Sequence, residues 1–112
     1  MPDLIEGAVV WVEFDPIRGR EQGGRQPALV VATQDYLDAV TTLAIVLPVT
    51  SRDHGWLNHV ELTGRTGLSS TSWAMTEQPR TIARERIVRA VGLVDDLCLS
   101  KVRVHLRDYF GS

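Results

Sequence analysis

The sequence predicts a mainly β fold: a small, strongly bent antiparallel sheet or partly open barrel, closed by one C-terminal helix. Three observations carry this expectation. Short apolar runs rich in branched side chains recur between breaks that hold glycine, proline or aspartate. Helical periodicity is clear only near the C-terminus, where Leu99, Val102, Leu106 and Tyr109 recur at helical spacing with Phe110 on the same side. The length of 112 residues suits one domain, 1–112, able to bury roughly two thirds of its unfolded surface.

Taken in order, Gly7 to Phe14 alternates as a strand, with Ala8, Val10, Val12 and Phe14 on one face and Val9, Trp11 and Glu13 on the other. Asp15-Pro16 stops it, because proline cannot continue a ladder. The loop to Arg25 holds Arg18, Arg20 and Arg25 against Asp15 and Glu21, a net charge of +1. It leads into a buried strand, Pro27 to Thr33, in which Pro27 suits the first position. Gln34 to Ala39 reads as a turn of helix, and Thr42 to Val49 as a strand buried on both faces. A polar turn, Thr50 to Gly55, precedes a possible strand at Trp56 to Leu62 and a loop at Thr63 to Thr71. Ser72 to Met75 is a short strand, Thr76 to Ile82 a connection, Ala83 to Arg86 a helical turn, and Ile87 to Val94 the last strand. Asp95 and Asp96 open the helix over about 95–110, where a cap and the helix dipole favour acids, and Gly111 ends it. The count is five to seven strands and one clear helix.

Composition narrows the setting. A net charge of -2 argues against a surface that attracts nucleic acid or anionic membrane as a whole, though a local basic patch is compatible with it. The single cysteine, Cys98, precludes an internal disulfide and suits a reducing cytoplasm. The acidic start Met1 to Glu6 does not read as a signal peptide, and no apolar run approaches the ~20 residues that span a bilayer. A soluble cytoplasmic protein is expected.

Gly7-Ala-Val-Val-Trp-Val-Glu-Phe-Asp-Pro16, followed by Arg18-Gly-Arg-Glu-Gln-Gly-Gly-Arg-Gln-Pro-Ala-Leu-Val-Val31, resembles the N-terminal signature of the MazF/PemK (Kid) toxins. Leu47 to Ser51, His59 to Leu62 and Glu77 to Ile82 resemble that family's later blocks, in order, so that the resemblance runs from about Gly7 to Val94. It implies an SH3-like barrel of the kind shared by the CcdB, Kid and MazF toxins, a homodimer, and a metal-independent endoribonuclease cutting single-stranded RNA at short sequences. It also implies a MazE-like antitoxin whose disordered tail occupies the RNA groove.

The chemistry of such a cut is general. The ribose 2′-hydroxyl attacks the adjacent phosphorus, leaving a 2′,3′-cyclic phosphate and a 5′-hydroxyl. A base must take the 2′ proton, an acid must protonate the leaving oxygen, and cations must stabilise the added charge. The three histidines and Cys98 have none of the usual zinc spacings, so no metal or other cofactor is expected. Arginine suits the cationic role through its planar fork. The family's motif places an arginine directly before the proline of the second strand; here that position is Gln26, with Arg25 one residue earlier. A one-residue shift in a strand reverses the side chain's face. Either Arg25 reaches the phosphate because the loop is not yet regular strand, or the site is weakened. Thr50 matches the family's catalytic threonine, where a hydroxyl can donate to a phosphate oxygen, the alternative being a turn residue bonding its own backbone. A second branch uses a histidine in the first loop and an arginine and an aspartate before Gln-Pro-Arg; this chain has Arg20, Met75 and Glu77 there. Glu77 keeps a carboxylate that can serve as base or as a structural ion pair.

The expected catalytic set is therefore Arg25, Thr50 and Glu77. The expected RNA path is Arg18, Arg20, Glu21, Gln22, Gln26, Ser51, Gln78 and Arg80, with Arg84, Arg86 and Arg89 as an adjoining basic run or a solvated face. Trp11, Trp56 and Trp73 are assigned to core or dimer packing ahead of base stacking, and His54, His59 and Glu13 to the surface. Three other functions compete. A non-enzymatic homologue would bind RNA or antitoxin yet cut poorly because of Gln26. A gyrase-directed toxin would end Trp-Gly-Ile, where this chain reads Phe110-Gly-Ser112. An SH3-like peptide module needs a groove of aromatics, and this chain spreads three Trp, two Tyr and two Phe along its length.

Overall fold

A computed structural model describes residues 3–14 and 25–111. The elements run β1 (Ala8–Glu13), β2 (Arg25–Val30), α1 (Gln34–Ala39), β3 (Leu43–Thr50), β4 (His59–Glu61), β5 (Gly64–Arg65), β6 (Trp73–Met75), β7 (Arg80–Ala83), a 3-10 turn (Arg84–Arg86), β8 (Ile87–Val94) and α2 (Asp96–Phe110). The strands join in one antiparallel sheet, ordered β4-β6-β3-β2-β1-β8-β5, with β7 also paired to β3. Register shifts in β1 against β8, between Val9 and Val10 and between Trp11 and Val12, are bulges that bend the sheet. The curled sheet with its C-terminal helix is the expected fold.

Both faces of the sheet are apolar, and each carries its own core. Val10, Val12, Ala28, Val30, Ala44, Val46 and Ile82 pack inside the curl with Leu37 of α1. Val9, Leu29, Leu47, Val49, Val60 and Ala74 pack on the other face under Cys98 and Val102 of α2. This double burial explains why β1 to β3 read as nearly continuous apolar runs. The helix is set by its ends: the Asp95 carboxylate accepts from the Cys98 N–H at 2.9 Å and from the Thr63 hydroxyl at 2.8 Å. Gly111 takes the left-handed conformation, φ 73°, that a C-terminal glycine permits.

The differences from expectation have physical causes. Arg80 to Ile82, read as a connection, and Ala83, read as the start of a helical turn, are strand because they pair with Leu43 to Val46 in place of a short apolar signal of their own. The first β3 partner on its other side is Ala28, so Pro27, third in β2 rather than first, lies beyond that ladder and leaves no N–H wanting there. Pro48 falls between the residues of β3 that pair with β7 and those that pair with β6. Phe110 is 70% exposed and does not join the helix's buried stripe; Cys98 takes that place.

The basic run also divides. Arg84 donates to the carbonyls of Leu43 (2.9 Å), Val40 (3.0 Å) and Leu37, closing the C-terminus of α1. Arg86 donates to the carbonyls of Glu13 (3.2 Å) and Phe14 (3.3 Å). These two arginines are structural clamps. Arg80 stays exposed, its guanidinium 5.0 Å from the Phe14 ring centroid, a cation–π distance.

Candidate functional site

Alternation decides which candidate groups meet. In β2, Ala28 and Val30 enter the inner core while Leu29 enters the core under α2. Gln26 therefore shares the inner face, and Arg25 the outer one. In β3, Ala44 and Val46 are inner and Leu47 and Val49 outer, so Thr50 also belongs to the inner face. The β2–β3 register pairs Ala28 with Pro48, and carried two residues on it sets Gln26 level with Thr50. Arg80, opposite Val46, and Ile82 of the inner core put the β7 arginine on the same side.

Arg25 is the first residue of regular strand, directly opposite Glu13, and its Nε donates to the Glu13 carboxylate at 3.3 Å. The condition under which it would reach the Thr50 side, an irregular backbone, is not met. Both side chains are well exposed, so the pair contributes little to stability. Glu13 is thus a pairing partner and not merely a surface charge.

Thr50 ends β3 opposite Trp73. Its Oγ1 accepts from the Arg52 N–H at 3.1 Å, the local turn bond expected of a threonine at such a position. That bond uses an oxygen lone pair and leaves the hydroxyl hydrogen able to donate to a phosphate oxygen. Ser51 lies exposed beside it.

Glu77 sits in a polar cluster that joins three elements. Its carboxylate meets His59 Nε2 at 3.1 Å and accepts from Asn58 Nδ2 and Gln78 Nε2, each at 3.2 Å. Asn58 Nδ2 also donates to the Tyr109 hydroxyl at 3.1 Å, and that hydroxyl meets Thr76 Oγ1 at 2.7 Å. Thr76, fully buried, donates to the Asn58 carbonyl at 2.6 Å. Partial burial raises the Glu77 pKa, but bonds from its own backbone N–H, His59 and Gln78 and the charge of His59 outweigh it and hold the carboxyl below its ordinary value. A carboxylate so held is a weaker base than a free one.

His59, expected at the surface, is 8% exposed, because Trp56 and His54 cover it and Glu77 holds it. Its Nδ1 is buried without a partner. Trp56, expected in packing, is 56% exposed. Neither Asn58, Thr76 nor Tyr109 was a sequence candidate; the one trace was the interruption of an apolar run by Asn58 and His59.

Arg18, Arg20, Glu21 and Gln22 lie outside the described residues. Gln78 turns back on Met75 and Glu77. Among the described residues no three His, Cys, Asp or Glu side chains converge to hold a metal ion. A groove of about 1170 Å³ lies at the opposite end of β3, lined by Thr41, Leu43, Arg84, Val88 and Arg89, and Arg84 is already bonded to carbonyls.

Residues 5–110 match the model of the PemK-like, MazF-like toxin of type II toxin–antitoxin systems. The chain belongs to the PemK/MazF toxin family. It is 32% identical over 109 residues to the endoribonuclease toxin MazF of Escherichia coli K12, covering 95% of this chain and 93% of that protein. It is 37% identical over 98 residues to the endoribonuclease MazF9 of Mycobacterium tuberculosis, covering 81% and 82%. Its fold matches a MazE–MazF crystal structure from Deinococcus radiodurans with TM-score 0.81 and 33% identity, over 99% and 98% of the chains. No helix among the described residues is long and apolar enough to cross a membrane.

Proposed function

We propose that this PemK/MazF-family chain is a toxin-type endoribonuclease that cuts single-stranded RNA without a metal, through a 2′,3′-cyclic phosphate. The observation that carries the reading is Thr50, placed at the end of β3 on the inner face with a hydroxyl hydrogen free to donate, in a chain whose relatives are named endoribonucleases. Arg80 on the same face supplies a cation for phosphate. Glu77, held below its ordinary pKa and bonded on both oxygens, acts as a fixed negative group that positions His59 and the turn. The protein works as a homodimer in the cytoplasm, held in check by a MazE-like antitoxin; the MazE complexes of its structural neighbours support that partner.

A second reading has its own observation. Arg25 is turned to the outer face and paired with Glu13, so it does not replace the arginine missing at position 26. A weakened nuclease that still binds RNA or antitoxin follows from this. Incubation with a long RNA in EDTA, with the new ends mapped, tests both. Cuts at one short sequence with 2′,3′-cyclic phosphate ends, absent in Thr50→Ala, support the nuclease; RNA left intact by the wild type supports the second reading.

A further inference from the structure

We infer that Trp56 is a nucleobase-stacking subsite of the RNA path, an inference that rests on the ribonuclease reading of the Thr50 site. Trp56 stands in the turn that leaves Thr50, and 56% of it is open to solvent. One side of its ring rests on His59, with centroids 4.7 Å apart at 50°. His54 flanks it at 5.5 Å and 40°, and meets His59 edge-on at 5.4 Å. His59 is itself fixed by Glu77 at 3.1 Å. The turn is held by the Arg52 N–H on Thr50 Oγ1 and the Gly55 N–H on the Asp53 carboxylate at 2.8 Å. The indole is thus flanked by two imidazoles while more than half of its surface stays open to solvent.

A base released from a single strand needs such a surface. Every base has a π face, so stacking on an aromatic ring tolerates any sequence and adds affinity without neutralising a phosphate. A rigid, flanked ring also loses little freedom on binding. The same features distinguish Trp56 from Trp11 and Trp73, which are half-buried within strands β1 and β6. The platform is tied to Glu77 through the His59 contact and follows Thr50 directly along the chain, in the turn that leaves β3.

The test uses the full-length wild type as parent and a fluorescein-labelled random single-stranded pool of 2′-O-methyl RNA, which lacks the attacking hydroxyl and is not cut, read by polarisation. Adding Trp56→Ala should weaken binding about tenfold, while Trp56→Phe stays within about threefold of the parent. The dependence of binding on salt should keep its slope, since no phosphate contact is lost. Trp56→Ala binding at parental strength, a reduced salt slope, or Trp56→Phe failing as badly as alanine would overturn the subsite. If the parent binds the pool and only the Trp56 effect is missing, the stacking inference fails alone. A parent that binds no RNA sinks this inference and the ribonuclease reading together.

Discussion

At its Leu43 end, β3 meets Arg84, whose guanidinium donates to the Leu37, Val40 and Leu43 carbonyls. At its other end the same strand carries the Thr50 hydroxyl with a hydrogen to give, with the exposed Arg80 opposite Val46 and the exposed Trp56 indole in the turn that follows. The first end has a groove of about 1170 Å³, and the second has the groups assigned to the chemistry. The contrast shows that a charge in the sequence is open to a ligand only where the fold does not take up its donors, as it does those of Arg84. It also gives an order of expected effects.

Breaking the closed end should cost the most stability. Arg84→Ala leaves those carbonyls without their charged donor, and charge-assisted hydrogen bonds are worth more than neutral ones; a loss of about 2–4 kcal/mol is expected in urea unfolding. Arg80→Ala, at the open end, should change stability by less than about 1 kcal/mol, because its ring contact is exposed, while lowering RNA affinity and the salt slope by roughly one unit.

The Glu77 cluster gives a pH signature. Its carboxyl is held below the ordinary value when folded, so the unfolded chain takes up the proton more readily. The stability this supplies is complete above the ordinary carboxylate range and is lost as pH falls through the folded value. The Tm advantage of wild type over Glu77→Gln should therefore shrink between about pH 6 and about pH 3. An advantage that is constant with pH would show that the ionised carboxylate is not what matters. The smallest effect concerns Cys98: burial pushes its thiol above the ordinary value and its Sγ faces the Glu61 carbonyl at 3.5 Å. Native protein should react with a thiol reagent far more slowly than urea-unfolded protein.

Much of the fold was legible because local signals and tertiary pairing agree. Ile87 to Val94 alternates and is strand over that same span, and Asp95 and Gly111 mark the ends of the last helix from sequence alone. β7 was not legible, since Arg80 and Thr81 carry no strand pattern and become strand only by pairing with β3. Thr50 was placed from its motif at a strand end, and the structure puts it there. The Glu77 cluster was half legible. Glu77 belonged to a motif, but Asn58, Tyr109 and His59 reach it across sequence separations that no periodicity encodes. Arg84 and Arg86 looked like a basic patch because sequence shows charge and hides the carbonyls that take it up.

Thr50 and Gln26 share the proposed reacting face, and Arg25 faces away from it. One comparison of cleavage rates tests this: wild type, Gln26→Arg and Arg25→Ala on the same RNA in EDTA. Gln26→Arg should raise the rate at least about tenfold, as a cation gained near a developing phosphate charge would. Arg25→Ala should stay within about threefold of wild type, having lost only an exposed pair with Glu13. Abolished cleavage in Arg25→Ala, with no gain in Gln26→Arg, would place the chemistry on the other face.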